Sequence, residues 1–429
     1  MTISTQPVRK TRQSRITSSA DAYLYHREWF QRVRERVSAG EPFAIVSAET
    51  PMEIFQAMDI PYVPVQWWSS IVSAKRKAPA YLNALRERGF PDDQEQYFSL
   101  GLASSYDRDP ESAPWGGMPM PTMIVGDPRE DNQGKIYELW AREYGAHYYP
   151  FERAIFNDAP DQWWELGRHR WDEMIDPAVL DLHVEESRGL IRFIEQVTGR
   201  RFCETRFKRV LDLVNEQEEY FTKARDLVAR TVPSPITVTD TFTSVMMPQW
   251  HRGTEWARDK ARAFYEEVEA RVRNGEAACP AEKVRLAWFG TGLWFNVDFY
   301  DSFIASHDAV FVWSMYLGIA ADGYARYGED PLRTLSARYA AFVQYLTMEP
   351  WPSAWYVKEA ELHQIDGVVI LGGAGPFTEA AFHKAGVPTL RIRGHNVDSR
   401  QWREEEIRAQ VCRFIEEEAR LHAERRRSR

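Results

Sequence analysis

Cysteine is scarce: Cys203, Cys279 and Cys412 are the only thiols in 429 residues, and none belongs to a CxxC pair. That excludes a disulfide-stapled fold and any local metal-ligand motif, although distant ligands can still converge in space. Long apolar runs are missing as well, and with them any helix able to cross a bilayer. The N-terminal MTISTQPVRKTRQSRITSS is basic and polar and lacks the apolar stretch of a secretory signal, so residues 1–19 read as a disordered arm of a cytoplasmic protein. There is no excess of positive charge. A formal net charge of −9 argues against general nucleic-acid or membrane binding, while leaving room for a local basic patch that takes a polyanionic cofactor. Also absent are the GxSxG elbow, the P-loop, HExxH and the EF-hand loop.

What is present has the balance of a globular chain, with 44% hydrophobic and 27% charged residues, and a length that calls for two domains. The 16 Trp residues can line an apolar pocket, build a subunit interface or fill a core; core filling is the default.

The second half is organised around ELHQIDGVVILGGAGPFTEAAFHKAGVPTLRI, residues 361–392. Residues 367–371 are a short β-branched run suited to a strand buried on both faces, and it stops at Gly372-Gly373-Ala374-Gly375. Pro376 then opens a helix with Thr378 and Glu379 in its first turn, Gly386 ends it, and residues 387–392 return as a strand. A glycine turn between a parallel strand and a helix N-terminus can receive a ligand; equally, it can be a structural connection, since GGAG is not the dinucleotide fingerprint.

Strand, turn and helix recur along the chain. Residues 42–46 lead into Ser47-Ala48-Glu49-Thr50-Pro51 and the helix MEIFQAM, with Glu53 in its first turn, and residues 60–65 form the next strand before Trp67-Trp68. A second unit spans residues 122–150, with a polar loop at 126–132 and a helix at 135–144; between the two units, residues 101–121 read as an irregular loop. Apolar sets at helical spacing fill residues 176–232, with Asp176 as an N-cap before Pro177 and a break at Thr198-Gly199. Residues 284–289 and 309–313 are further strands, and Gly290-Thr291-Gly292 is a strand-to-helix turn. The expected fold is α/β: two doubly wound, Rossmann- or flavodoxin-like parallel-sheet domains, at 20–175 and 233–429, joined by a helical connector at 176–232.

The order of motifs resembles the 2-hydroxyacyl-CoA dehydratase and benzoyl-CoA reductase subunits over roughly residues 23–417. It rests on several short signatures in register: FAIVSAETPMEIFQAMDIPYVPV, VGDPREDNQGKIYELW, VTGRRFCETRFKRVLDLVNE, VRLAWFGTGLWF, EDPLRTLSARY and the glycine-turn segment. The resemblance implies a pairing of two related subunits, with a CoA thioester in a cleft beside an iron–sulfur cluster. It also implies an ATP-driven electron donor and loss of a hydroxyl or reduction of an aromatic ring, as in anaerobic aromatic metabolism. The departure lies in cysteine: the positions matching the cluster ligands, around Leu102-Ala103-Ser104, Glu130-Asp131 and Gly373-Ala374-Gly375, carry none. The expectation is therefore a lyase-type subunit that binds no cluster of its own and holds no other metal, but takes an acyl-CoA.

In that reading Glu53, matching the family's proline-proximal glutamate, and nearby Glu49 are the acid–base pair; solvated charge at a helix start is the bland alternative. Backbone amides around Gly290 and Gly292 and around Gly372, Gly373 and Gly375, with Thr378, are expected to bind the thioester. Trp67 and Trp68, with Trp115, Phe151 and Trp294, can surround an aromatic acyl group or sit in the core. His147, His251, His307 and His395 are compatible with acid–base roles and are assigned none. Two alternatives stand beside the enzyme: a non-catalytic partner that completes or stabilises a related subunit, and an unrelated nucleotide- or sugar-phosphate-binding protein.

Overall fold

A computed structural model describes residues 15–127, 131–155, 160 and 162–428. The described strands form two parallel four-stranded sheets. In the first, β1 (Ala44–Val46) lies between β2 (Tyr62–Pro64) and β3 (Met123–Gly126), and β4 (His147–Pro150) lies outside β3. In the second, β5 (Val284–Phe289) lies between β6 (Ala309–Ser314) and β7 (Gly367–Leu371), and β8 (Thr389–Ile392) lies outside β7. Both sheets wind in the same order (second, first, third, fourth), so the chain builds the flavodoxin-type arrangement twice.

Burial on both faces explains why these segments are strands. Successive residues of a strand point to opposite sides. Leu286 and Trp288 accordingly enter one apolar cluster with Phe311 and Val369, while Ala287 and Phe289 enter another with Val310 and Ile370. A sheet covered twice needs largely apolar strands, and the runs AIV, VRLAWF and GVVIL supply them; the buried Arg285 in the second is paired with Glu282 at 2.8 Å. The edge strand β4, HYYP, is half exposed, with no fully buried residue, and correspondingly more polar.

Two long helices, Pro177–Thr198 and Glu204–Arg230, connect the halves. Asp176 caps the first, its carboxylate accepting from Ala178 N at 2.7 Å. The second packs on Met52–Ala57 from the first half and on Met315–Asp322 and Glu255–Asn274 from the second. It is a common strut for both sheets.

The structure corrects two expectations. Residues 101–105 belong to the helix Gln96–Ser105 rather than to an irregular loop. Gly101 serves packing there, since a Cβ would lie 2.6 Å from Val65 and 2.8 Å from Trp140. Of the expected arm, residues 1–14 fall outside the described residues, but residues 15–19 dock: Ile16 packs with Phe221 and Phe264, and Thr17 N donates to the Glu267 carboxylate at 2.9 Å. Residues 128–130 of the expected polar loop also lie outside the described residues. No described helix is long and apolar enough to cross a membrane.

Candidate functional site

Open parallel sheets leave a crevice at the carboxyl ends of their strands where the winding direction reverses. In the first sheet that point lies between β1 and β3, beside residues 47–51; in the second it lies between β5 and β7, beside residues 290–291 and 372–375. Loops from both sheets line one cleft of about 640 Å³, with Glu49, Gln66, Tyr97, Gly290 and Gly373 among its walls. The two crevices thus open into each other, and a ligand there touches both halves of the chain.

Glu49 is the carboxylate that β1 delivers to this cleft. Its Oε2 accepts from Gln66 Nε2 at 2.6 Å and from the Ser47 hydroxyl, and Gln66 is itself fixed because Ala48 N donates to its Oε1 at 2.9 Å. The Arg153 guanidinium holds the Glu49 carbonyl. The acid group is therefore oriented, half-buried and on the cavity wall.

Glu53, four residues on, points elsewhere. It has no exposed surface; its Oε1 accepts from Arg338 Nη1 at 3.0 Å and Arg252 Nε at 3.4 Å, and its Oε2 from the Tyr339 hydroxyl at 2.7 Å. Burial by itself raises the pKa of a carboxyl, but the two guanidinium groups and the Tyr339 hydroxyl outweigh it and hold Glu53 below the ordinary carboxylate value. Glu53 lines none of the described cavities. It is a buried counter-charge linking the first sheet to the Pro331–Thr347 helix, so the two glutamates expected to work as a pair are separated.

The glycine turn has the expected shape but its helix N-terminus is already filled. Gly375, at φ 56°, allows the chain to pass Phe289, where a Cβ would lie 2.1 Å from the ring, and Gly372, at φ 61°, passes the Gly394 carbonyl. The Glu349 carboxylate then accepts from Phe377 N at 2.9 Å and Thr378 N at 3.0 Å. Those amides are engaged by an internal anion. The Thr378 side chain is buried against Ser353, not in the cleft. Gly292 N donates to the Tyr316 hydroxyl at 2.7 Å and Gly372 N to the Ile392 carbonyl at 2.9 Å, so both amides are committed; Gly290, Gly372, Gly373 and Gly375 line the cleft.

Trp67 and Trp68 are core. Trp67 Nε1 donates to His26 Nδ1 at 3.0 Å and Trp68 Nε1 to Ser104 Oγ at 2.7 Å, and neither reaches a described cavity. Apolar burial, with a partner for each indole N–H, accounts for both.

Several cleft residues are assigned no role from the sequence. Gln66 and Tyr97 come from helices, Thr347 and Glu349 from the segment ending Pro331–Thr347, and His395 and Asn396 from the loop after β8. Only the last pair had a signal, since loops that follow parallel strands tend to carry ligands. His395 Nδ1 accepts from Val397 N at 3.3 Å and Asp398 N at 3.4 Å, and burial pushes its pKa down to about 4. Its imidazole is neutral at pH 7, with the proton on Nε2.

Beyond the glycine turn the cleft runs into an open groove of about 1100 Å³, sharing Gly372, Gly373 and Gly394 with it. Arg391, Arg393 and Arg403 line the groove, with Glu406 opposing them. Arg391 is tied to Glu379 and to the Gly372 carbonyl at 2.6 Å, while Arg393 is exposed.

The cluster implied by the resemblance needs thiolate ligands. The cleft offers carboxylate, amide, phenol, hydroxyl and imidazole groups but no thiol. Cys203 lies at the start of Glu204–Arg230, Cys412 in Glu404–Phe414, and Cys279 is buried. Leu102, Ala103 and Ser104 are interior to a helix, and the described residues contain no group of three metal-ligating side chains. The donor set of the cleft, which has no thiol, does not fit such a cluster.

Two relatives give the comparison. The (R)-phenyllactyl-CoA dehydratase alpha subunit of Clostridium sporogenes is 22% identical over 262 residues, 61% of this chain and 60% of the relative. The lactoyl-CoA dehydratase subunit alpha of Anaerotignum propionicum is 28% identical over 111 residues, 26% of each chain. The matched region thus spans about 60% of the length of the first relative and about a quarter of the second. Residues 47–417, from the loop that carries Glu49 to the C-terminal helices, match the 2-hydroxyglutaryl-CoA dehydratase, D-component family, and the chain belongs to that family.

Proposed function

We propose that this chain is a subunit of a CoA-thioester-processing enzyme that holds the nucleotide end of the substrate in the arginine-bearing groove and its thioester in the cleft. The observation that carries this reading is the continuity of the two cavities through Gly372, Gly373 and Gly394. A phosphate-rich tail suits guanidinium groups on an otherwise acidic protein, and a neutral thioester suits a half-apolar cleft.

In the cleft Glu49 takes or returns a proton on the acyl carbon next to the one that loses or gains the hydroxyl, so that water is eliminated or added with no change of oxidation state. The charge that develops on the carbonyl oxygen is met by N–H donors of the wall, His395 Nε2 among them. Glu53 acts through Arg252 and Arg338 as a positioning group. No step is assigned to a cluster, because the side chains that would bind it are missing. A related subunit works beside this one in a heteromeric cytoplasmic assembly, and three free thiols suit that compartment. The absence of thiols at all three matching positions also favours a second reading, in which this chain completes the pocket of a subunit that carries the chemistry.

The test is calorimetric titration of the full chain with CoA and with ATP, beside the double variant Arg393→Ala/Arg403→Ala. CoA is expected to bind in preference to ATP, and the variant to weaken CoA binding by about 10-fold or more, the value of one to two charge-assisted contacts. Equal binding of CoA and ATP, or an unaffected variant, overturns the assignment. Anaerobically purified protein containing stoichiometric iron and sulfide would remove its cluster-free part.

A further inference from the structure

The cleft has an inner extension. A chamber of about 120 Å³ shares Glu49, Gln66, Tyr97, Thr291, Met315 and Thr347 with it, and these residues form the passage between the two. Past that passage the walls change character. Met246, Trp250, Ile319, Ala320, Tyr324 and Phe342 enclose the chamber, and all but Met246 are buried.

We infer that this chamber receives the acyl chain of the thioester and restricts the substrate to a short, uncharged acyl group of about three to five carbons. The inference rests on the acyl-CoA reading above and adds the identity of the acyl class. Its first support is volume. A cavity of ~150 Å³ holds one benzene ring of six carbons, so a chamber of about 120 Å³ holds about five heavy atoms on the same scale. A phenyl ring exceeds that volume and enters the chamber fully only by displacing a wall. Interiors are close-packed, so an oversized group is opposed by Trp250, Ile319 and Phe342 together.

The second support is charge. Arg252 is the one basic side chain of the lining, and a chamber with a free guanidinium would select a dicarboxylic acyl group. Arg252 is not free: Nε donates to Glu53, Nη1 to the Gln249 carbonyl at 3.1 Å and Nη2 to the Tyr339 hydroxyl at 3.2 Å, with its face over the Tyr324 ring at 4.2 Å. The passage also carries the Glu49 carboxylate, which repels an anionic tail.

The third support is register. A chain seated in the chamber leaves through the passage lined by Glu49 and Gln66, and this brings the carbons next to the thioester to the group assigned to proton transfer.

The test is a calorimetric series on the full chain with CoA, acetyl-, propionyl-, butyryl-, octanoyl-, phenylacetyl- and succinyl-CoA. Affinity is expected to rise about fourfold per methylene up to butyryl-CoA, the equivalent of ~0.8 kcal/mol per buried methylene, and to fall back toward that of free CoA for octanoyl- and phenylacetyl-CoA. Ile319→Trp, which fills the chamber, is expected to bring butyryl-CoA back to the affinity of CoA itself, and Phe342→Ala to admit phenylacetyl-CoA. Phenylacetyl- or succinyl-CoA binding as tightly as butyryl-CoA to the unaltered protein overturns the inference, as does an affinity independent of the acyl group. Because free CoA is in the series, the outcomes separate. Binding of CoA without acyl discrimination sinks only this inference, whereas failure of every CoA species to bind sinks the acyl-CoA reading with it.

Discussion

Replacing Glu53 by glutamine keeps the side-chain volume and removes the one negative charge placed between Arg252 and Arg338. All three side chains are buried, at 0%, 3% and 1% exposure, so water cannot replace what is lost. Two of the bonds to Glu53 are well formed, at 3.0 Å from Arg338 and 2.7 Å from Tyr339, and charge-assisted bonds of this kind contribute about 1.5–3 kcal/mol each. Their sum agrees with the ~3–5 kcal/mol that follows removal of one partner from a buried ion pair. Glu53→Gln is therefore expected to lower the unfolding free energy by about 3–5 kcal/mol at pH 7, measured by urea denaturation. The pH dependence has a definite sign. A carboxyl whose pKa is depressed in the fold stabilises fully above its ordinary value near 4.5 and loses that contribution as pH falls through the lower folded value. The gap between the parent and the variant should thus narrow below pH 4.5. A stability change under about 1 kcal/mol, together with lost turnover in the assembled enzyme, would refute this reasoning and make Glu53 a proton carrier after all.

Glu49→Gln should leave CoA affinity and stability nearly unchanged while lowering turnover of the assembly by about 10²- to 10⁴-fold; full activity in a steady-state assay favours the auxiliary-subunit reading. His26 accepts from Trp67 and is held neutral by burial, its pKa pushed down from the ordinary 6.5 to about 4. Its contribution is therefore complete above pH 6.5 and is lost as pH falls toward 4. His26→Gln, which keeps an acceptor for Trp67, should remove about 3 kcal/mol of the stability difference between pH 7 and pH 4, as read from denaturation curves at the two pH values. Gly375→Ala places a Cβ against Phe289 in a left-handed backbone and should cost about 1–3 kcal/mol and weaken CoA binding, checked by thermal unfolding and titration.

How far the linear chain discloses this molecule can be seen at particular residues. Residues 284–289 and 367–371 were legible as strands because a strand covered on both faces is apolar almost throughout, Arg285 being the exception, and short runs rich in aliphatic and aromatic residues between turn signals suit that place. Asp176 and Gly199 likewise mark their helix ends through local hydrogen bonding and backbone freedom. Gly101 misled because a glycine needed for close approach to Val65 and Trp140 looks, in sequence, like one needed for a turn.

The site divides in the same way. Position along a strand determines which loops reach the carboxyl edge, so Glu49, Gly290 and the Gly372 turn were visible beforehand. Which carboxylate faces the cavity was not. Glu49 and Glu53 differ only in what the distant segments around residues 252 and 338 bring to them, and an ion pair across 285 residues of chain has no local signature. The same holds for Glu349, which takes the amides of a helix 28 residues away; His395 is different, because its ring accepts from Val397 N and Asp398 N in its own loop, and only its burial in the cleft is a tertiary effect. Periodicity and turn chemistry are properties of neighbouring residues and belong to the sequence alone; counter-charges, cavity walls and their volumes arise only when remote segments meet, and only the tertiary structure decides them.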